Sequence, residues 1–207
     1  METLIKKGAE AEIYLSEWMG RKVIIKKRVR KNYRIKEIDE ELRKQRTKKE
    51  SLLMSGARKA GASVPIIYDV DLSEMKITMQ YVEGKRIKDC IDDMDGKEQK
   101  KVCKKIGEGI ASIHKSGIVH GDITTSNLIL YKDRIYFIDF GLGEKSSERE
   151  KQGVDLHLLM EAFKAAHENE ELFNWVFDAY EKNFEWADEV RKKVREIAER
   201  GRYMVRE

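Results

Sequence analysis

Two acids and an amide stand at telling spacings in the middle of the chain. Asp122 and, five residues on, Asn127 lie in Val119-His120-Gly121-Asp122-Ile123-Thr124-Thr125-Ser126-Asn127, and Asp139 opens Asp139-Phe140-Gly141. These residue types suit phosphoryl transfer, which is catalysed mainly by positioning and by neutralising charge on the phosphate and its leaving group. Mg²⁺ is a hard cation that takes a few protein oxygens together with phosphate oxygens. Asp139 can supply a carboxylate and Asn127 a neutral oxygen, which leaves Asp122 beside the attacking hydroxyl or water as base or orienter. Singly, each has a plainer reading: Asp122 and Asn127 cap turns, and Asp139 ends a strand. As a set, in this order and around a strand-like run Asn127-Leu128-Ile129-Leu130, they point to ATP–Mg²⁺ chemistry. His120 has no second His or Cys at ligand spacing, so it is expected to hydrogen-bond backbone near the Asp-Phe-Gly turn rather than hold a metal.

Such a set needs a cation for the phosphates. Val23-Ile24-Ile25-Lys26 reads as an apolar strand carrying a Lys, and a buried strand keeps a Lys only when it has a partner. Glu50 is the natural one. In a long helix it sits about 40° around the axis from Met54 and about 60° from Leu53, on their inward face. Lys27 and Arg28 are equally basic neighbours, and strand alternation selects Lys26. Gly8-Ala9-Glu10-Ala11 precedes the strand beginning at Ala11 and lets backbone N–H groups approach phosphates closely, although a hairpin turn explains it as well. Adenine would bond backbone at Gln80-Tyr81-Val82, through the Gln80 carbonyl and the Val82 amide.

The elements that must position these groups follow from periodicity. Ala11–Leu15, Lys22–Val29, Pro65–Val70 and Met75–Val82 read as strands, with turns at Gly8 and Met19-Gly20. Ile38–Lys59 reads as one helix marked by Leu42, Leu52, Leu53 and Met54, with Gly56 and Gly61-Ala62 as its closing signals. Lys97–His114 carries Val102, Cys103, Ile106, Ile110 and Ile113 on one stripe. Leu128–Tyr131 and Arg134–Ile138 form a hairpin around Lys132-Asp133. Helices near 153–167, 170–183 and 187–200 follow, Asp155 opening the first as an N-terminal helix acid or as a buried acceptor bracing His120-Gly121. Phe163, Phe173, Trp175, Phe177, Tyr180 and Phe184 fall at helical spacing and are expected in the core. Strands with one helix first, then helices, predict an α+β bilobal fold: a small β-rich N-lobe to about residue 81, a hinge at about 82–84, and a reduced helical C-lobe at 85–207.

The 207 residues suffice for one large domain or two small lobes. Charged residues make up 39% of the chain, a balance seen in heat-adapted proteins. METLIKKGAEAEIYL has no apolar h-region, and no apolar run reaches ~18 residues, so neither a signal peptide nor a membrane span is expected. Cys90 and Cys103 have no metal spacing and read as reduced, partly buried thiols of a cytoplasmic protein. The net charge of +4 hides segregation: residues 21–49 hold fourteen Lys/Arg against four acids, and 161–189 nine acids against two Lys. A polyanion such as tRNA is one reading of the basic block; a solvated helix face is the plainer one. Ser146 and Ser147 sit in a loop as candidate phosphorylation sites.

With these residues in view, the chain resembles the small atypical serine/threonine kinases of the KEOPS complex, the PRPK-like family of archaea and eukaryotes. The resemblance is carried by GAEAEIY at 8–14, VIIKKRVRKNYR at 23–34, Arg46-Thr47-Lys48-Lys49-Glu50, VHGDITTSN at 119–127, IDFGLG at 138–143 and Arg200-Gly201-Arg202. It implies a protein-kinase-like fold and an ATP-dependent subunit that supports threonylcarbamoyladenosine formation in tRNA. That subunit would act beside a Kae-type threonylcarbamoyl transferase subunit and a Cgi121-like subunit, with autophosphorylation on Ser/Thr. It further implies that Lys26 holds the α/β-phosphates and pairs with Glu50, that Asp122 is the catalytic Asp, that Asn127 and Asp139 hold Mg²⁺, and that Arg200 to Arg206 reach toward the Kae-type partner.

The chain departs from typical protein kinases in two places. Asp155 follows Asp139 by only sixteen residues with no Ala-Pro-Glu between, and Thr124 stands where such kinases carry a catalytic-loop Lys. ATP hydrolysis, or phosphorylation of itself or a bound partner, is therefore expected over broad protein-kinase activity. Two other readings remain: a small-molecule phosphotransferase of the aminoglycoside- or choline-kinase type, for whose acceptor pocket the chain has little room, and a non-catalytic ATP-binding scaffold.

Overall fold

The computed structural model describes residues 2–204, with side chains through Arg200. Its first part is a five-stranded antiparallel sheet in the order β1-β2-β3-β5-β4, built from β1 (Thr3–Lys7), β2 (Ala11–Trp18), β3 (Arg21–Arg28), β4 (Ile67–Asp71) and β5 (Lys76–Gln80). Between β3 and β4 runs α1 (Lys36–Lys59). Along β3, alternation puts Val23 and Ile25 on one face and Lys26 and Arg28 on the other, and all four are buried. Lys26 lies opposite Ile13 of β2 and Ile77 of β5, so a cation is flanked by apolar strands.

Tyr81–Gly84 leads out of the sheet into β6 (Lys85–Arg86), which pairs with β8 (Leu128–Tyr131). Asp95 caps α2 (Gly96–Lys115), accepting the Lys97 and Glu98 backbone N–H groups at 2.9 Å. β7 (Ile118–Val119) follows, and β8 and β9 (Arg134–Phe137) form a hairpin whose turn residues Lys132 and Asp133 have positive φ. β10 (Glu144–Lys145) pairs with β7, and α3 (Arg149–Ala166), α4 (Leu172–Asn183) and α5 (Ala187–Met204) complete the chain. The α2 stripe of Val102, Cys103, Ile106, Ile110 and Ile113 is buried, each Ile contributing about 1.5–3 kcal/mol of transfer free energy. One continuous apolar cluster links Leu53 and Met54 of α1 and Ile77 of β5 to α2, α3, α4 and α5, so the two halves share a core across the cleft.

Several local expectations change. Gly56 does not end α1 but lies inside it, where a Cβ would come within 2.8 Å of the Ile118 Cδ1; the missing side chain lets β7 approach the helix. Leu52 is 57% exposed and marks no inward face. Asp155 lies in the middle of α3, which begins at Arg149, and so is no N-terminal helix acid. Phe173 and Trp175 are only partly buried, at the margin of the core. Of the basic end from Arg200 to Arg206, Arg200 pairs with Glu150 on α3, and the side chains beyond it lie outside the described residues.

Candidate active site

The central feature is a chain of ions. Lys26 Nζ lies 2.6 Å from Glu50 Oε1 and 2.7 Å from Asp139 Oδ1. The other Glu50 oxygen takes Arg28 Nη2 at 2.6 Å. Lys26, Arg28 and Glu50 are all buried, whereas the Asp139 carboxylate is about half exposed to the cleft. Burial by itself would lower the Lys26 pKa, but Glu50 and Asp139 overcome it and hold the ammonium above its ordinary value. Burial likewise opposes the Asp139 charge, and Lys26 more than compensates, leaving that carboxyl below the usual range. Lys27 instead points outward to Glu74.

The loop from His120 to Asn127 is held from below. Asp155, fully buried on α3, accepts the His120 and Gly121 backbone N–H groups, both at 2.7 Å. The His120 ring spans to the next segment. Its Nε2 meets the Ile138 carbonyl at 3.1 Å and its Nδ1 accepts the Asp122 N–H at 3.3 Å, so the ring donates from Nε2 and ties Asp122 to the residue preceding Asp139. Gly121 has φ +82°, and a Cβ there would lie 2.5 Å from the Leu142 carbonyl oxygen, so only glycine fits. Asp139 itself adopts φ +66°, a left-handed conformation that costs energy in a non-glycine residue and clusters at functional sites. Asn127 Nδ2 donates to the Asp122 carboxylate at 2.8 Å and to its carbonyl at 3.0 Å. Burial raises the Asp122 pKa, and the Asn127 bond opposes the shift.

These groups open onto two adjoining cavities. The larger, about 350 Å³, has apolar walls from Ile24, Met79, Ile129 and Ile138. Gln80, Tyr81 and Val82 edge it, and Lys26, Glu50, Asn127 and Asp139 line its inner end. The smaller, about 260 Å³, is bounded by Gly8, Ala9, Glu10 and Ala11 above and by Asp122 and Asp139 below. Gly8 N–H bonds the Ala11 carbonyl at 2.9 Å. Glu10 pairs with Arg46 of α1, and Lys31 reaches the Ala9 carbonyl, so this loop is tied to the segment that carries Glu50. The structure thus gathers the candidate nucleotide-site residues, from residues 8–11, Lys26 and Glu50 to residues 80–82, Asp122, Asn127 and Asp139, along these two cavities, whereas Ser146, Ser147 and Arg200 line neither. Sequence reasoning named two cationic neighbours, Arg28 and Arg46, without giving either a place in the site. Both carry a signal: Arg28 shares the face of Lys26 two residues along the same strand, and Arg46 stands one helical turn before Glu50.

Among the described residues, no three His, Cys, Asp or Glu side chains cluster to hold a metal by themselves. The oxygens facing the cavity are hard donors, and Asp139 with Asn127 offers the partial set that suits Mg²⁺ shared with a triphosphate. Among the described residues, no helix is long and apolar enough to cross a membrane.

Comparison with known proteins agrees with the kinase-like fold. Residues 7–169 match the protein kinase domain family. The chain is 45% identical over 213 residues to the KEOPS complex subunit Bud32 of Pyrococcus abyssi, covering 98% of this chain and 97% of that protein. It is 42% identical over 202 residues to the probable serine/threonine-protein kinase BUD32 homolog of Archaeoglobus fulgidus, covering 96% and 95%. A probable bifunctional tRNA threonylcarbamoyladenosine biosynthesis protein of Methanosarcina mazei is 44% identical over 202 residues; these are 97% of this chain but 35% of the longer relative. In fold the chain is similar to WaaP solved in complex with acyl carrier protein, with a TM-score of 0.68 at 12% identity over 100% of this chain and 87% of that one. The chain belongs to the protein kinase domain family and, within it, to the Bud32 group of KEOPS subunits.

Proposed function

We propose that this chain is the ATP- and Mg²⁺-using kinase/ATPase subunit of a KEOPS assembly and supports threonylcarbamoyladenosine formation in tRNA. The names of its relatives support the assembly and the tRNA product. The observation that carries the chemistry is Lys26, bridging Glu50 and Asp139 at 2.6 and 2.7 Å on the wall of a cavity that Asn127 also lines. In this reading the Gln80 carbonyl and Val82 amide bond adenine between the apolar walls. Lys26 holds the α/β-phosphates, kept extended by Glu50. The Gly8–Ala11 backbone covers the phosphates. Asp139 and Asn127 hold Mg²⁺, which when bound supplies compact positive charge against the phosphate oxygens. Asp122 orients the attacking oxygen and accepts its proton, its own carboxylate oriented by Asn127. The partners in this reading are a Kae-type and a Cgi121-like subunit in the cytoplasm.

The acceptor is water, the chain itself or a bound partner. From Asp139 the backbone passes directly through β10 into α3 at Arg149, which leaves no platform on which a free peptide could lie. The test is turnover of γ-labelled ATP by the purified chain, with and without the Kae-type subunit. The reading expects label to leave ATP, as phosphate or as phosphoprotein, and to do so faster with the subunit present. No consumption of ATP under either condition contradicts it.

A further inference from the structure

Behind Asp155 lies a second run of buried polar groups for which the chemistry above has no use. His114, on α2, presents Nε2 to Asp155 Oδ2 at 3.3 Å and Nδ1 to the Tyr180 hydroxyl of α4 at 2.9 Å. Tyr180, Asp155 and His114 are 0%, 0% and 2% exposed. We propose that the Tyr180 hydroxyl is a positioning group for the loop that carries Asp122, acting through His114 on Asp155.

Hydrogen-bond accounting fixes the direction of the chain. Both Asp155 oxygens already accept a backbone N–H, so its contact with His114 calls for a donor and the His114 proton stands on Nε2. Nδ1 then offers a lone pair, and the phenol donates to it. Burial holds the Tyr180 phenol well above its ordinary pKa, which keeps that proton in place. The order is therefore Tyr180 O–H to His114 Nδ1, His114 Nε2–H to Asp155, and Asp155 to the His120 and Gly121 amides, one residue before Asp122.

The rings around the chain fix its geometry. Tyr180 meets His114 edge-on with centroids 5.5 Å apart, and Phe177 and Phe184 flank Tyr180 at 5.7 and 5.1 Å. Tyr180 lies beyond residue 169, where the match to the protein kinase domain family ends. A helix outside the matched segment thus contributes the outermost link of a chain that ends on the catalytic loop. Removing the phenol oxygen strands a buried acceptor at Nδ1 and frees the imidazole to turn, which withdraws one of the three donors to Asp155.

The effect on turnover rests on the function proposed above; the hydrogen-bond chain does not. The test uses the full chain with Tyr180→Phe, which keeps the ring and removes one oxygen. In the parent, ¹⁵N spectra of the histidine side chains should show His114 protonated at Nε2 with Nδ1 accepting. In the variant, the His120 and Gly121 amides should exchange faster with solvent. The kcat should fall about 10- to 100-fold, the scale on which lost outer supports loosen a site, with the KM for ATP within about twofold of the parent. A role limited to stability would lower the melting temperature and leave kcat unchanged below it. The proposal is overturned by His114 protonated at Nδ1 in the parent, or by a variant with parental kcat and parental exchange at 120 and 121. If the parent consumes no ATP, the functional reading fails, and the tautomer and exchange still decide this one.

Discussion

At the residue scale the site is an arrangement of charge. Two buried cations, Lys26 and Arg28, share the carboxylate of Glu50, and Lys26 also holds Asp139. Arg28 on the second Glu50 oxygen gives that buried carboxylate a partner besides Lys26. Much of this is legible in the sequence. Strand alternation separates Lys26 from Lys27, and helical spacing puts Glu50 inward. The link between His114 and Tyr180, which helical spacing marks only as a core residue, was not legible, for a physical reason: a partner 66 residues away leaves no periodic mark on the sequence. Lys26→Ala should weaken ATP binding at least tenfold, about 1.4 kcal/mol or more, since it removes a charge-assisted contact and leaves Glu50 and Asp139 facing one another. Lys27→Ala, on the outer face, should bind ATP as the parent does. Calorimetric titration of both variants checks this; equal losses would show that alternation does not separate the two lysines.

At the element scale, regular segments were easy to read and their ends were not. The hairpin at Lys132-Asp133 and the α2 stripe declare themselves by period. Gly56 misleads because glycine is a helix-ending residue by local chemistry, yet here tertiary packing against Ile118 favours it inside α1. Asp155 was legible as an acceptor but not as a mid-helix residue, because the polar first turns of α3 carry no apolar stripe. The β4–β5 turn yields a pH prediction. Asp71 accepts from the Ser73 hydroxyl at 2.6 Å and from the Glu74 and Ser73 backbone N–H groups at 3.0 and 2.9 Å. These bonds, the hydroxyl first, lower its pKa from 3.8 to about 2. A lowered carboxyl contributes stability that is present above the unfolded value and lost as pH falls through the folded one. The melting-temperature gap between the parent and Asp71→Asn should therefore stay constant above roughly pH 5 and close toward pH 2. A gap that does not change across that window would show that the turn does not favour the ionised form.

At the scale of the whole molecule, the sheet-bearing half and the helical half share one apolar core, and the cleft between them is where the candidate nucleotide-site groups meet. The order of elements made the α+β kinase-like architecture legible. It could not show that charge is segregated toward one use, since a basic block is equally a solvated face. If residues 21–49 hold tRNA, affinity should drop steeply between 50 and 200 mM salt, on the order of tenfold or more for each few phosphates neutralised. Filter binding across that range reads the slope, and a flat response leaves only the solvated face. The central claim is that Asp139, with Asn127, joins this chain to a metal-bound triphosphate in that cleft. Its most direct measurement is the ATP affinity of the parent and of Asp139→Ala, each with and without Mg²⁺. The account predicts that Mg²⁺ strengthens binding to the parent at least tenfold, about 1.4 kcal/mol, and gives the variant no comparable gain. A variant in which Mg²⁺ strengthens binding as much as in the parent would contradict it.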